Sequence, residues 1–276
     1  MLRLRIATAI VLAGAFLGAL FTLPPLGWSL FAAVVLGLGA FEWAGFARCA
    51  TPARTGYALA TTAVAWALAW GLGLALGRPG ALALGPIYGL AVAFWVVGAT
   101  LWLARRPAPA PRGAILAAGW IALIPTFLAL LHLRNIHPGS LLAFMVLVWI
   151  ADIAAYFAGR RFGRRKLAPS VSPGKTWEGL AGALVATAAY GLAWIALAPV
   201  QVPSLVRDLP WSPVWMLALV AALTGLSVIG DLFESAMKRQ AGLKDSGRIL
   251  PGHGGLLDRI DALTPVLPAA ALVSMV

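Results

Sequence analysis

Long apolar runs separated by short polar joins make up nearly the whole chain. Nine runs stand out, at roughly 6–22, 26–46, 57–77, 82–103, 113–133, 138–159, 177–198, 213–233 and 262–276. Most approach the ~20 residues a helix needs to cross ~30 Å of hydrocarbon at ~1.5 Å per residue. Helix breakers mark the joins: Pro24-Pro25, Arg78-Pro79-Gly80, Pro107 through Pro111, His137-Pro138-Gly139, and Pro210 with Pro213. The pattern predicts an all-α polytopic integral membrane protein with about nine transmembrane helices. The last run has 15 residues and reaches only ~22 Å on the same arithmetic. The first run follows a basic start and has small residues at Ala13 and Ala15, as a signal peptide would. It is read as a retained span, because it continues to about Phe21 and everything after it is equally apolar.

Composition agrees and removes the alternatives. The 276 residues are 61% apolar and 11% charged, with a mean hydropathy of +0.90. Soluble domains run nearer ~45–50% apolar and ~25% charged, and disordered chains are poorer still in apolar residues. A soluble globular fold and a disordered chain are both excluded. The single cysteine, Cys49, rules out an internal disulfide and a cysteine metal cluster.

The net charge of +12 sharpens the topology. With the N-terminus inside, 18 of the 21 basic residues fall on inner segments, and only Arg78, Arg134 and Arg207 fall outside. That asymmetry predicts a cytoplasmic N-terminus, in a bacterial inner membrane, and needs no nucleic-acid partner. The chain divides into about five N-terminal helices over 1–135 and a C-terminal region, 136–276. The latter carries two long cytoplasmic loops, 160–176 and 234–261. Around these loops lie seven of the nine acids, leaving only Glu42 and Asp208 elsewhere. Orientation needs bases and has no use for acids, so this clustering calls for chemistry.

Asp231, Glu234, Ser235 and Lys238 are spaced i, i+3, i+4 and i+7, on one helical face, and Asp258 and Asp261 are spaced i, i+3. Three Asp carboxylates at a membrane boundary suit Mg²⁺, which keeps waters and shares positions with substrate phosphates. Ion pairs with Lys238, Arg239 and Arg259 account for the same spacing equally well. Between these acids, GLKDSGRILPGHGG offers Gly247, Gly252, Gly254 and Gly255 for converging backbone amides, with Lys244, Arg248 and His253 as cations. A surface turn is the plain alternative.

The other loop holds SPGKTWEG, which imitates the end of a Walker A motif but has Pro169 where a Gly is required. Ser172, Lys175 and Thr176 still precede a helix start, where phosphate binds well, and Thr176 with Glu178 also suits ordinary capping. Asp152 lies about seven residues, or ~10 Å, inside the sixth run. A buried carboxylate there reads as functional, with a cationic partner from a neighbouring helix. His132 and His137 read as solvated residues at the outer rim. Trp28, Trp102, Trp149, Trp211 and Trp215 read as an interfacial belt.

The stretch from Ser235 to Asp261, SAMKRQAGLKDSGRILPGHGGLLDRID, resembles the signature of the phosphatidate cytidylyltransferase (CDP-diacylglycerol synthase) family. Ser235, Lys238, Arg239, Lys244, Asp245, His253, Gly254, Gly255, Asp258, Arg259 and Asp261 stand at its fixed positions. The segment from Asp152 to Gly179 is similar to a second block of that family, with Ile153 where a Thr or Ser is usual. Residues 1–135 match it in hydropathy only.

The resemblance implies transfer of a cytidylyl group from CTP to phosphatidate at the cytoplasmic face, giving CDP-diacylglycerol and pyrophosphate. It implies a two-ion Mg²⁺ centre held by Asp231, Asp258 and Asp261, with Lys244 as a further catalytic residue. Lys238, Arg239, Lys244 and the turn at His253, Gly254 and Gly255 would hold CTP, with Ser235, Asp245 and Arg259 beside it. Asp152, Ser172, Lys175, Thr176 and Glu178 would surround the phosphatidate headgroup, whose acyl chains stay among membrane lipids. The nucleophile is a phosphate monoester, ionised near neutral pH because its second pKa is about 6, so no strong general base is needed. A homodimer is compatible with these features. A transporter, suggested by Asp152, and a polyprenol or dolichol kinase are the competing classes; a CDP-alcohol phosphotransferase would need a DG-x-x-AR stretch that this chain lacks.

Overall fold

A computed structural model describes residues 2–78, 83–105, 110–197, 212–250, 252 and 254–275, with side chains for all of these except 2–7, 9 and 197. Ten helices carry the fold: α1 (Leu2–Thr22), α2 (Pro25–Phe46), α3 (Thr51–Gly71), α4 (Leu84–Arg105), α5 (Arg112–Ile136), α6 (Pro138–Phe162), α7 (Trp177–Leu197), α8 (Pro213–Ala241), α9 (Leu257–Ile260) and α10 (Leu263–Val273). A two-stranded antiparallel hairpin, β1 (Lys166–Ala168) and β2 (Ser172–Thr176), joins α6 to α7.

Four prolines, Pro25, Pro52, Pro138 and Pro213, sit where they cost no hydrogen bond, in the first turn of α2, α3, α6 and α8, while Pro125 and Pro268 lie inside α5 and α10. The predicted breakers therefore become starts. Among the described residues six helices, α2 and α4 to α8, are long and apolar enough to cross a membrane, and the molecule is a multi-pass membrane protein.

The nine-crossing expectation meets its main difference at the C-terminus. The run at 262–276 forms α10, only 11 residues and ~16 Å long, with every residue from Leu263 to Ala271 buried. An apolar helix of this length surrounded by protein is a core element rather than a span. It packs against α4, α5 and α8, closing the centre of the bundle. Likewise His132 is 4% exposed and stacks on Tyr88 at 5.8 Å, so it is a core residue and not a solvated rim residue.

Two contacts fix the helices that bear the site. Phe233 of α8 is surrounded by Trp43, Phe94, Trp95 and Trp102, at ring-centroid distances of 6.4, 5.7, 5.5 and 5.3 Å. Phe94 and Trp95 reach it from a π-helical stretch of α4, Phe94–Ala99. On the other side, α6 and α7 approach through small residues: a Cβ on Gly182 would fall 2.4 Å from that of Ala158. Gly182→Leu is therefore expected to force α6 and α7 apart and lower stability by about 1–3 kcal/mol. Thermal unfolding of the detergent-solubilised variant checks this; an unchanged Tm would refute it.

Candidate active site

The predicted residues gather into two adjoining arrangements at one end of α6 and α8. The first is a groove of about 530 Å³ between α6, the hairpin, α7 and α8, lined by Asp152, Ser172, Lys175, Thr176 and Asp231 among others. The Lys175 ammonium pairs with Asp231 Oδ2, and Ser235 Oγ donates to Asp231 Oδ1 at 3.3 Å. Asp152 lies exposed to this groove rather than buried, and the Lys175 and Asp231 charges act on it. Lys175 lines the same groove, but its ion pair is with Asp231 and not with Asp152. Ile153 is 57% exposed and takes no part in the lining.

Thr176 and Glu178 serve as caps. The Thr176 hydroxyl accepts from the Gly179 amide at 3.0 Å, and Glu178 accepts from the amides of Arg164 at 3.0 Å and Arg165 at 3.2 Å. They hold the hairpin against α7, so that Lys175 points at α8.

The second arrangement is the loop after α8. Lys238 Nζ lies 2.5 Å from Glu234 Oε2 and 2.6 Å from Asp258 Oδ1, clamping α8 to α9. Its side chain is 11% exposed, so the clamp is its present role, inside the protein. Asp258 Oδ2 accepts from the amides of Ser246 at 3.0 Å and Gly255 at 2.9 Å. Burial alone would raise the Asp258 carboxyl, but Lys238 and these two amides hold it below the ordinary carboxylate range. Gly254, at φ +85° with its Cβ position 2.9 Å from Asp258 Oδ2, lets the chain turn tightly around that carboxylate.

Spacing alone suggested loop amides free to bind an outside anion. Those of Ser246, Gly255, Leu256 and Leu257 instead point at the protein's own carboxylates, Asp258 and Glu42. The loop's anion-binding capacity lies in its side chains: Lys244 and Arg248 are exposed, as are Asp245, Arg239 and Arg259. Arg239 also donates to the Leu243 carbonyl at 3.3 Å. His253 lies outside the described residues.

Asp261 links the two arrangements. Burial, and then repulsion from Asp231, pushes its carboxyl up to about 7. Two acids that press on each other in this way fit a divalent cation. Asp258 fits less well, because three of the ~four lone-pair sites of its carboxylate already face protein donors. Among the described residues no three His, Cys, Asp or Glu side chains surround one point closely enough to hold an ion unaided. Mg²⁺ does not require that, since it keeps waters and takes one or two carboxylates beside substrate phosphates. Sequence reasoning placed Glu234 on the same helical face as Lys238 without assigning it a role, and missed Ser246 as part of this framework.

The sequence pattern of the cytidylyltransferase family matches residues 3–276. Phosphatidate cytidylyltransferase of Pseudomonas aeruginosa is 42% identical over 277 residues, covering 98% of this chain and 96% of that protein. The protein of the same name from Haemophilus influenzae is 38% identical over 97% of this chain and 96% of its own length. That of Bacillus subtilis is 45% identical over 123 residues, 45% of this chain and 42% of its own. The chain belongs to the cytidylyltransferase family. The likeness extends through the first half, where hydropathy alone had suggested it.

Proposed function

We propose that this protein transfers the cytidylyl group of CTP to phosphatidate, giving CDP-diacylglycerol and pyrophosphate. The observation that carries the reading is the groove in which Lys175 faces Asp231, with Asp261 behind it and the cationic loop alongside. The full-length relatives named phosphatidate cytidylyltransferase support the same substrates. A phosphate oxygen of phosphatidate attacks the α-phosphorus of CTP. The bond from that phosphorus to the bridging oxygen breaks, and pyrophosphate leaves with the electron pair. The attacking monoester is already ionised near neutral pH, so the protein's task is to bring two polyanions together and hold them in line.

Lys175 and Ser172 take the lipid phosphate in the groove, and the acyl chains remain in the bilayer beside α6 and α7. Lys244, Arg239 and Arg248 draw in the triphosphate from the aqueous side. Asp231 and Asp261 would be the principal residues holding Mg²⁺, with Asp258 able to add at most one lone pair. A divalent cation held there would supply neutralisation of the charge on the transferring phosphoryl group. The basic-residue asymmetry supports an N-terminus and active site on the cytoplasmic side of a bacterial inner membrane, with eight crossings once α1 and α3 are added to the six long apolar helices.

The test uses purified protein with phosphatidate, labelled CTP and Mg²⁺. The expected outcome is labelled CDP-lipid and release of pyrophosphate. Label passing to a polyprenol as a phosphate, or appearing in no lipid, would overturn the reading.

A further inference from the structure

Glu42 is an acid of α2 that plays no part in the chemistry just described. It is fully buried, near the C-terminal end of a membrane-crossing helix. Its carboxylate accepts three hydrogen bonds, all from the loop that follows α8: Ser246 Oγ at 2.9 Å, the Leu256 amide at 3.0 Å and the Leu257 amide at 2.9 Å. The Ser246 partner is 204 residues away in sequence.

The loop is shaped to admit this side chain. A Cβ on Gly247 would lie 2.2 Å from Glu42 Oε1, and one on Gly255 would lie 2.6 Å from Oε2. Only residues without a side chain allow the carboxylate so close. Ser246 then ties the arrangement to Asp258, donating its hydroxyl to Glu42 and its amide to the Asp258 carboxylate. The loop is thus folded around two inner anions, and its cationic side chains, Lys244 and Arg248, are left on the outside.

We infer that Glu42 is a positioning residue: it holds Ser246, Leu256 and Leu257, the two flanks of the loop, in the arrangement that receives the nucleotide triphosphate. This rests on the reading of that loop as the CTP side of the site. The physical reason is charge as much as shape. Three donors converging on one buried point need an anion there, and in a loop meant to attract phosphates a fixed internal carboxylate keeps those amides in place before the substrate arrives.

The experiment varies CTP at saturating phosphatidate, and then the reverse, using the full-length protein in detergent or liposomes. Glu42→Gln keeps the shape but presents an NH₂ to donors that need an acceptor. Its KM for CTP is expected to rise about 10- to 100-fold. Its KM for phosphatidate should stay within about twofold of that of the unaltered protein. Gly247→Ala pushes a methyl group into Glu42 and should raise the KM for CTP in the same way. Adding Glu42→Asp, one methylene shorter, should recover part of that loss. Because a rescue cannot arise from packing simply lost, this pair decides the matter even if Glu42→Gln unfolds. The inference fails if Glu42→Gln leaves the CTP KM unchanged, if both KM values rise together, or if the Gly247→Ala defect is not relieved. An unaltered protein that turns over no CTP would instead sink the functional reading beneath it.

Discussion

Asp258→Asn is expected to abolish measurable CDP-lipid formation, with a loss of about 10²- to 10³-fold or more. The carboxylate satisfies Lys238 at 2.6 Å and two loop amides at 2.9 and 3.0 Å, and an Asn in its place turns an NH₂ towards one of those donors. Lys238 is then left with Glu234 alone, in a pocket where its side chain is 11% exposed. Breaking one side of a buried ion pair costs about 3–5 kcal/mol, which converts to the stated factor at 1.4 kcal/mol per tenfold. Part of that cost appears as a lower Tm. Activity assays at rising Mg²⁺ separate the causes. Asp258→Asn should gain little, because its chief defect is a misfolded loop, whereas Asp261→Asn should regain part of its turnover. Near-normal activity in Asp258→Asn would refute the framework role.

The second large effect is expected at Lys175. Lys175→Met removes the ammonium that pairs with Asp231 and leaves Asp152, Asp231 and Asp261 facing a lipid phosphate with that charge gone. Loss of one preorganised cationic contact of this kind lowers turnover by about 10²- to 10³-fold. Here the kcat/KM for phosphatidate should fall by that much, while the KM for CTP changes far less. Lys175→Arg should restore little, since a planar fork on a longer stem does not replace a compact ammonium. Equal damage to both substrates would move Lys175 from the lipid side to the centre of the site.

The sequence was most legible where one residue acts on its near neighbours. Apolar runs and prolines give the six membrane-crossing helices, and i, i+4 spacing puts Glu234 and Lys238 in contact. Lys175 and Asp231 were both visible as candidates, although their meeting depends on how a hairpin folds back against α8. Illegible were the features set by distant packing. Hydropathy cannot tell a short span from a buried core helix, so α10 reads as membrane-facing until α4, α5 and α8 are seen around it. The loop glycines look like an anion cradle because their spacing carries no sign of Glu42, which arrives from the other half of the chain. Asp152 was placed correctly along its helix, but whether it faced protein or an open groove depended on its neighbours.

The cage around Phe233 has a consequence for where chemistry can happen. Asp231 lies two residues before it on the same rigid rod, ~3 Å along the axis and about half a turn round. Four aromatic rings from α2 and α4 grip that phenyl group, so α8 can neither slide nor roll without breaking them. The cage works as a depth gauge. It sets the acid's height relative to α2 and α4, and under the proposed function that height would be the single level at which a water-borne nucleotide and a lipid headgroup meet.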